Sequence, residues 1–307
     1  MTEFRRVKLT TGVTLNVALA GPLDAPPVIL LHGFPESHRT WRGVAPMLQD
    51  RFRLIMPDQR GFAGSDRPQG VDAYRGNLIV ADVFALADAL GVERFALVGH
   101  DWGGAIAWAA AIGGNPPNEQ RIERLAIVNS PHPVIFQKSL IESAEQRAAS
   151  QYINAFRVPG MAKLIEKMGY ETFFEKSFGA HVDLALIPEP EKQQYIAEWS
   201  QPGAMEAMLN WYRASQLIIP PPLLTVPIPD WVLGAFPKVQ VPTLVIWGMR
   251  DPALLPLQLD GMDRLVDDLT IVRLADAGHF APWETPGPVA QALGPFLAGQ
   301  AAATAPA

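Results

Sequence analysis

Two rhythms of apolar and polar positions run along this chain. Phe4 to Leu9 and Val13 to Ala20 alternate apolar with polar residues around Thr10-Thr11-Gly12, the period-two pattern of an antiparallel hairpin. Val28 to Leu31 is continuously apolar, as expected of a parallel strand buried on both faces. Signals then alternate: a short helix around Trp41 to Gln49, a strand from Arg53 to Met56, a helix from Asn77 to Leu90 and a strand from Phe95 to Val98. A helix from Ala105 to Ile112 and a strand from Leu125 to Val128 follow. This succession predicts an α/β fold whose mostly parallel sheet carries helices on both faces.

The rhythm changes after Pro131-His132-Pro133. From Val134 to Leu233 the pattern is helical and amphipathic without a clear strand, and it ends in a proline-rich stretch from Pro220 to Pro229. Strand signals resume at Thr243 to Trp247 and Thr270 to Leu274, before a last helix near Pro288 to Leu297. The expected organisation is a core in two segments, 1–133 and 234–300, interrupted by a helical cap at 134–233. The alanine-rich tail, 301–307, is expected to be disordered.

Composition narrows the possible functions. A chain of 307 residues, 49% hydrophobic, suffices for one large α/β core with an insertion. A net charge of −6 argues against nucleic acid as a partner and favours a neutral or apolar ligand. With no cysteine there is no disulfide, thiolate catalysis or Cys-ligated metal. Neither a phosphate-binding loop nor a dinucleotide fingerprint occurs, so no cofactor and no metal are expected. Met1 to Lys8 carries Glu3, Arg5, Arg6 and Lys8 without a following apolar stretch, so no signal peptide is expected. No run approaches the roughly 20 apolar residues of a membrane span, and a cytoplasmic protein without a membrane partner is the expectation. A homo-oligomer remains open.

The most informative stretch is Phe95-Ala96-Leu97-Val98-Gly99-His100-Asp101-Trp102-Gly103-Gly104. An apolar strand runs through a tight turn into a helix, with small residues at 99 and 103 where side chains would collide: the context of a nucleophile elbow. Its apex is a carboxylate instead of a serine. Serine attacking saturated carbon would leave an inert ether, whereas a carboxylate leaves an alkyl ester that water can reopen. With an ordinary pKa of about 3.9, such a group also requires no base for the first step. The elbow therefore points to an electrophilic sp³ carbon bearing a leaving group, as in an epoxide or an alkyl halide.

Ligands of doubly wound sheets sit at the carboxyl ends of strands. Past Leu244 to Trp247 comes Asp251, and past Ile271 to Leu274 comes His279, which completes the order nucleophile, acid, histidine. In this arrangement Asp251 orients His279, and His279 deprotonates the water that attacks the Asp101 ester. Asp276, close to His279 in sequence, is a competing orienting acid. His32 and Glu36 could form a metal or acid–base pair, but bracing of their loop is the expected role, as is a structural role for His100.

His32-Gly33-Phe34-Pro35-Glu36, Gly99 to Gly104, Trp247 to Pro252 and Gly278-His279-Phe280 together resemble the epoxide hydrolase branch of the α/β-hydrolase fold, over roughly Phe4 to Leu297. The resemblance implies an oxyanion hole from the backbone N–H groups of Phe34 and Trp102, whose side chains would also line the pocket. It also implies two cap tyrosines that protonate the epoxide oxygen, matched here by Tyr152 in Tyr152-Ile153-Asn154-Ala155-Phe156-Arg157 and Tyr212 in Asn210-Trp211-Tyr212-Arg213. The implied substrate is a small apolar epoxide, with water as co-substrate. Haloalkane dehalogenases share the elbow aspartate but usually place a side-chain donor where Phe34 stands, and fluoroacetate dehalogenases place arginine where Trp102 stands. A non-catalytic small-molecule receptor is the alternative of another class, since fold alone does not fix function.

Overall fold

Strand alternation sorts the sheet's side chains onto two apolar faces. In this computed structural model, residues 2–113, 120–224 and 226–300 are described, so the tail expected at 301–307 lies outside the described residues. The strands are β1 (Glu3–Lys8), β2 (Thr14–Ala20), β3 (Pro27–Leu31), β4 (Arg53–Pro57), β5 (Phe95–His100), β6 (Ile122–Val128), β7 (Thr243–Gly248) and β8 (Leu269–Leu274). They pair in the order β1-β2-β4-β3-β5-β6-β7-β8. The β1–β2 hairpin is antiparallel, β2 runs antiparallel to β4, and the pairs from β4 through β8 are parallel.

The helices are α1 (Ala45–Leu48), α2 (Gly76–Ala89), α3 (Trp102–Gly113), α4 (Pro133–Glu142), α5 (Ala144–Ala149), α6 (Gln151–Arg157), α7 (Met161–Met168) and α8 (Tyr170–Gly179). They continue with α9 (Glu189–Trp199), α10 (Ala204–Ala214), α11 (Asp230–Leu233), α12 (Ala281–Glu284) and α13 (Pro286–Leu297). Val28, Leu30, Ala96 and Val98 face α1 and α13, whereas Ile29, Leu31, Phe95 and Leu97 face α2 and α3. The continuous apolar strands are thus covered on both sides, as parallel strands require.

Helix α3 begins at Trp102, three residues before the expected Ala105. Gly103 and Gly104 are poor helix formers, which hid the true start. Packing requires them: a Cβ on Gly103 would lie 2.4 Å from the Leu31 carbonyl oxygen, and one on Gly104 would lie 2.3 Å from Ser130 Cβ.

The chain leaves β3 for β4 on one side and returns to β5 on the other, which makes the β3/β5 boundary the topological switch point. Helices α4 to α10 form an insertion between β6 and β7, at the carboxyl ends of the strands. This cap shares one apolar core with the α2/α3 face of the sheet, through Phe136, Ile153, Met205 and Trp211. Buried polar contacts tie it down as well. Trp199 Nε1 donates to the Pro35 carbonyl at 2.7 Å, Trp211 Nε1 to that of Arg60 at 3.0 Å, and Gln146 Nε2 to that of Ala253 at 2.8 Å.

Candidate active site

Asp101 sits at the switch point with φ +50°, a left-handed conformation that L residues seldom adopt. The turn that forces it is crowded by backbone. A Cβ on Gly99 would lie 2.4 Å from the Gly103 carbonyl oxygen, and one on Gly33 would meet the Asp101 side chain at 2.4 Å. Glycine at these positions lets strand, helix and neighbouring loop converge on the carboxylate. Strained backbone held by such packing is common at reactive sites. Ser130 Oγ adds a further restraint by donating to the Asp101 carbonyl at 2.8 Å.

One carboxylate oxygen is engaged and the other faces the histidine. The backbone N–H of Phe34 donates to Asp101 Oδ1 at 2.8 Å. Trp102 opens α3, and its N–H is one of the first-turn donors that no intrahelical carbonyl satisfies. The Phe34–Pro35 peptide is cis. Asp101 Oδ2 lies 3.6 Å from His279 Nε2, and His279 Nδ1 lies 2.8 Å from Asp251 Oδ2. The structure thus brings Asp101, His279 and Asp251 together in one line.

Asp251 is fully enclosed, and its carboxylate accepts four hydrogen bonds. Oδ1 accepts from the backbone N–H groups of Ala253 and Leu254, each at 2.9 Å, while Oδ2 accepts from His279 and from Asn129 Nδ2, the latter at 2.9 Å. Burial by itself would raise its pKa, but the facing imidazole and these donors outweigh it and hold the carboxyl below the ordinary range. His279 shows the converse. Burial pulls its pKa down, but Asp251, then Asp101 and Glu36, more than offset this and hold it up at about 9.

Asp276 is excluded as the orienting acid by its position. It pairs with Arg250 on the surface, with its side chain 81% exposed. His32 braces its loop as expected: Nδ1 lies 2.9 Å from the Gly33 carbonyl oxygen and Nε2 accepts from the Gln59 N–H at 2.9 Å. Glu36 lies 3.2 Å from His100 Nδ1, and His100 Nε2 lies 2.8 Å from the His279 carbonyl oxygen, so this buried pair supports the histidine loop from beneath. No cluster of three potential metal ligands occurs among the described residues.

Tyr152 on α6 and Tyr212 on α10 enter from the cap, with ring centroids 6.2 Å apart. Arg157 locks the two helices together: its guanidinium donates to the carbonyls of Tyr212, Ser215 and Leu217 at 3.0, 3.1 and 2.9 Å. Those carbonyls lie at and just beyond the end of α10, where a helix leaves acceptors unsatisfied. Burial, reinforced by the charge of Asp101, raises both phenol pKa values above the ordinary 10. Both hydroxyls therefore stay protonated throughout the neutral range. The other tyrosines play no part here: Tyr74 donates to the Pro68 carbonyl at 2.8 Å, Tyr195 is buried against Trp199 and Trp283, and Tyr170 is half-buried on α8.

Two apolar cavities meet at this centre, and Asp101, Tyr152 and Tyr212 line both. The smaller, about 200 Å³, is lined further by Trp102, Phe136, Ile153 and Leu254. The larger, about 630 Å³, runs past Phe34, Phe156, Met161 and Met168, and His279 borders it alone. Phe34 stands edge-on to Tyr212 at 5.0 Å, and Trp102 does likewise at 5.2 Å.

Three contributors went unrecognised in the sequence. Asn129 and Ser130 follow β6 just as Asp251 follows β7, and polar residues at the carboxyl end of a buried strand were the available signal. His181, beyond α8, packs against His279 with ring centroids 5.5 Å apart. Burial and the neighbouring His279 depress its pKa to about 4. Its distance in sequence from every strand end left no signal.

The α/β hydrolase fold family matches residues 26–286 of the chain. The AB hydrolase superfamily protein YfhM of Bacillus subtilis is 33% identical, over 95% of this chain and 96% of its own length. Epoxide hydrolase A of Mycobacterium tuberculosis is 31% identical, over 94% and 96% respectively. A solved epoxide hydrolase from metagenomes of hot environments is 46% identical with a TM-score of 0.87, covering 98% of this chain and 100% of that one. The chain therefore belongs to the α/β-hydrolase fold family and, within it, to the epoxide hydrolases, hydrolases acting on ether bonds.

Proposed function

We propose that this protein converts small apolar epoxides to vicinal diols through an ester formed on Asp101. The observation that carries the reading is the division of labour between the two carboxylate oxygens. Oδ1 is held by the Phe34 N–H, so Oδ2, on the His279 side, is the nucleophile. Oδ2 attacks a ring carbon and the carbon–oxygen bond of the epoxide breaks. The departing alkoxide takes a proton from Tyr152 or Tyr212, because an alkoxide is too basic to leave unassisted.

In the second half, water attacks Asp101 Cγ and gives a proton to His279 Nε2. Before alkylation the Asp101 charge helps hold His279 protonated. Esterification cancels that charge, which frees the imidazole to act as a base, while Asp251 keeps the other nitrogen protonated. The tetrahedral intermediate places its negative oxygen where Oδ1 accepts from Phe34, the position at which a fixed donor stabilises developing charge. Collapse breaks the bond from Cγ to the substrate oxygen, which takes the proton back from His279, while the proton left on the Asp101 carboxyl returns to the phenolate; the diol is released and the carboxylate restored. Halide departure fits the site less well, since the Phe34 side chain offers the pocket an aromatic ring and no donor.

The test is intact-protein mass spectrometry of the His279→Gln variant mixed with styrene oxide. The expected result is a stoichiometric adduct equal to substrate mass and mapping to Asp101. An unmodified protein, under conditions in which the wild type yields diol, would overturn the mechanism.

A further inference from the structure

The two cavities share three lining residues, and those three are the groups proposed to react: Asp101, Tyr152 and Tyr212. Their remaining walls are different residues. An epoxide held between the carboxylate and the phenols therefore has apolar space leading away from it in two directions. A substrate with one substituent fills only one of them and leaves the other unmatched.

The sizes and chemistry of the two spaces differ. Beyond the three shared residues, the small one is lined by aliphatic and aromatic side chains and by Ser130, whose hydroxyl is already committed to the Asp101 carbonyl. Its volume of about 200 Å³ exceeds the roughly 150 Å³ in which a dry apolar cavity accepts benzene. It suits a short alkyl chain or one aromatic ring. The large space is about three times as big and is bordered by Met161, Met168 and Phe173, with Lys176 and Ser177 as polar groups on α8. His279 belongs only to this side, so the hydrolytic water is delivered there, and a substituent in the small space stays out of its path.

Given epoxide opening as proposed above, the geometry points to internal epoxides as the preferred substrates, with a short apolar substituent on one ring carbon and a longer one on the other. Terminal epoxides, which leave one cavity empty, are the poorer class. Burial of apolar surface in both directions favours the internal isomer, and two anchored substituents hold the ring in register with Oδ2.

Two isomers of equal composition test this: trans-4,5-epoxydecane, which offers propyl and pentyl arms, and 1,2-epoxydecane. The wild-type kcat/KM is expected to be at least tenfold higher for the internal isomer. Leu217→Trp, which intrudes on the small cavity from a loop, is expected to lower that ratio at least fivefold. Met168→Trp, on the opposite side, is expected not to lower it. A wild-type ratio below ten overturns the inference whether or not the variants fold, and leaves epoxide opening standing. Absence of diol from both isomers overturns the proposed function itself, and this inference with it.

Discussion

His279 Nε2 stands 3.6 Å from Asp101 Oδ2 while its Nδ1 lies 2.8 Å from Asp251, so one imidazole is held between two carboxylates. The first of these partners is the group that the proposed reaction neutralises. Replacing Asp101 with Asn removes the same charge without chemistry. The His279 pKa is then expected to fall below its value of about 9, and NMR titration of the imidazole reads it directly. An unchanged pKa would remove the argument that esterification frees the base. The same variant is expected to form no diol.

Linkage gives this pair a stability signature. A histidine whose folded pKa is raised from 6.5 to about 9 contributes stability that is fully present below pH 6.5 and lost as pH rises through about 9. Wild-type Tm is therefore expected to decline across that alkaline window more steeply than that of His279→Gln. Parallel Tm profiles for the two proteins would contradict the raised value.

His132 acts in the opposite direction. It is buried beside Trp108, ring centroids 5.1 Å apart, and burial depresses its pKa to about 4. Its neutral form stabilises the fold above pH 6.5, and that contribution is lost as pH falls from 6.5 towards 4, by an amount on the order of 3 kcal/mol. His132→Phe is expected to flatten the dependence of Tm on pH between 7 and 4. An equally steep dependence in the variant would show that this side chain does not drive it.

Tyr152 and Tyr212 are expected to share proton donation. Changing both to Phe should slow ester formation by about 10³-fold or more, in line with the usual scale of general acid catalysis. Single variants are expected to lose less, since one phenol remains. Pre-steady-state fluorescence of the pocket tryptophan Trp102 can follow the step. Wild-type rates in the double variant would refute the assignment.

Asn129 secures Asp251, donating to its Oδ2 while its own oxygen accepts from the Gly248 N–H at 2.9 Å. Asn129→Ala leaves both partners buried and short of a bond, at a cost of about 1–3 kcal/mol. Loosening Asp251 misorients His279 rather than Asp101. Ester hydrolysis is therefore expected to slow by an order of magnitude while ester formation holds. Equal loss in both steps, measured by single-turnover kinetics, would assign Asn129 a purely structural role.

The elements that were legible before folding share a physical character. Val28 to Leu31 and Phe95 to Val98 are short apolar runs, and burial on both faces is the only stable use for such a run in a parallel sheet. The elbow was legible because Gly99 answers to a local backbone collision, with the Gly103 carbonyl four residues on, whereas Gly103 and Gly104 answer to Leu31 and Ser130, far away in sequence. Strand-end placement, a rule of topology, led to Asp251 and His279.

The chain's order of residues thus made legible the α/β architecture and the carboxylate at the apex of the elbow, because periodicity and turn sterics act over a few residues. Tertiary structure alone decided which acid serves His279, sending Asp276 to the solvent with Arg250 and holding Asp251 with Asn129. It alone set Arg157 across the end of α10, so that two tyrosines from separate helices meet over one carboxylate. It alone divided the apolar space around Asp101 into two unequal cavities. Distances between groups far apart in sequence arise from packing the cap onto the sheet, and no local pattern encodes them.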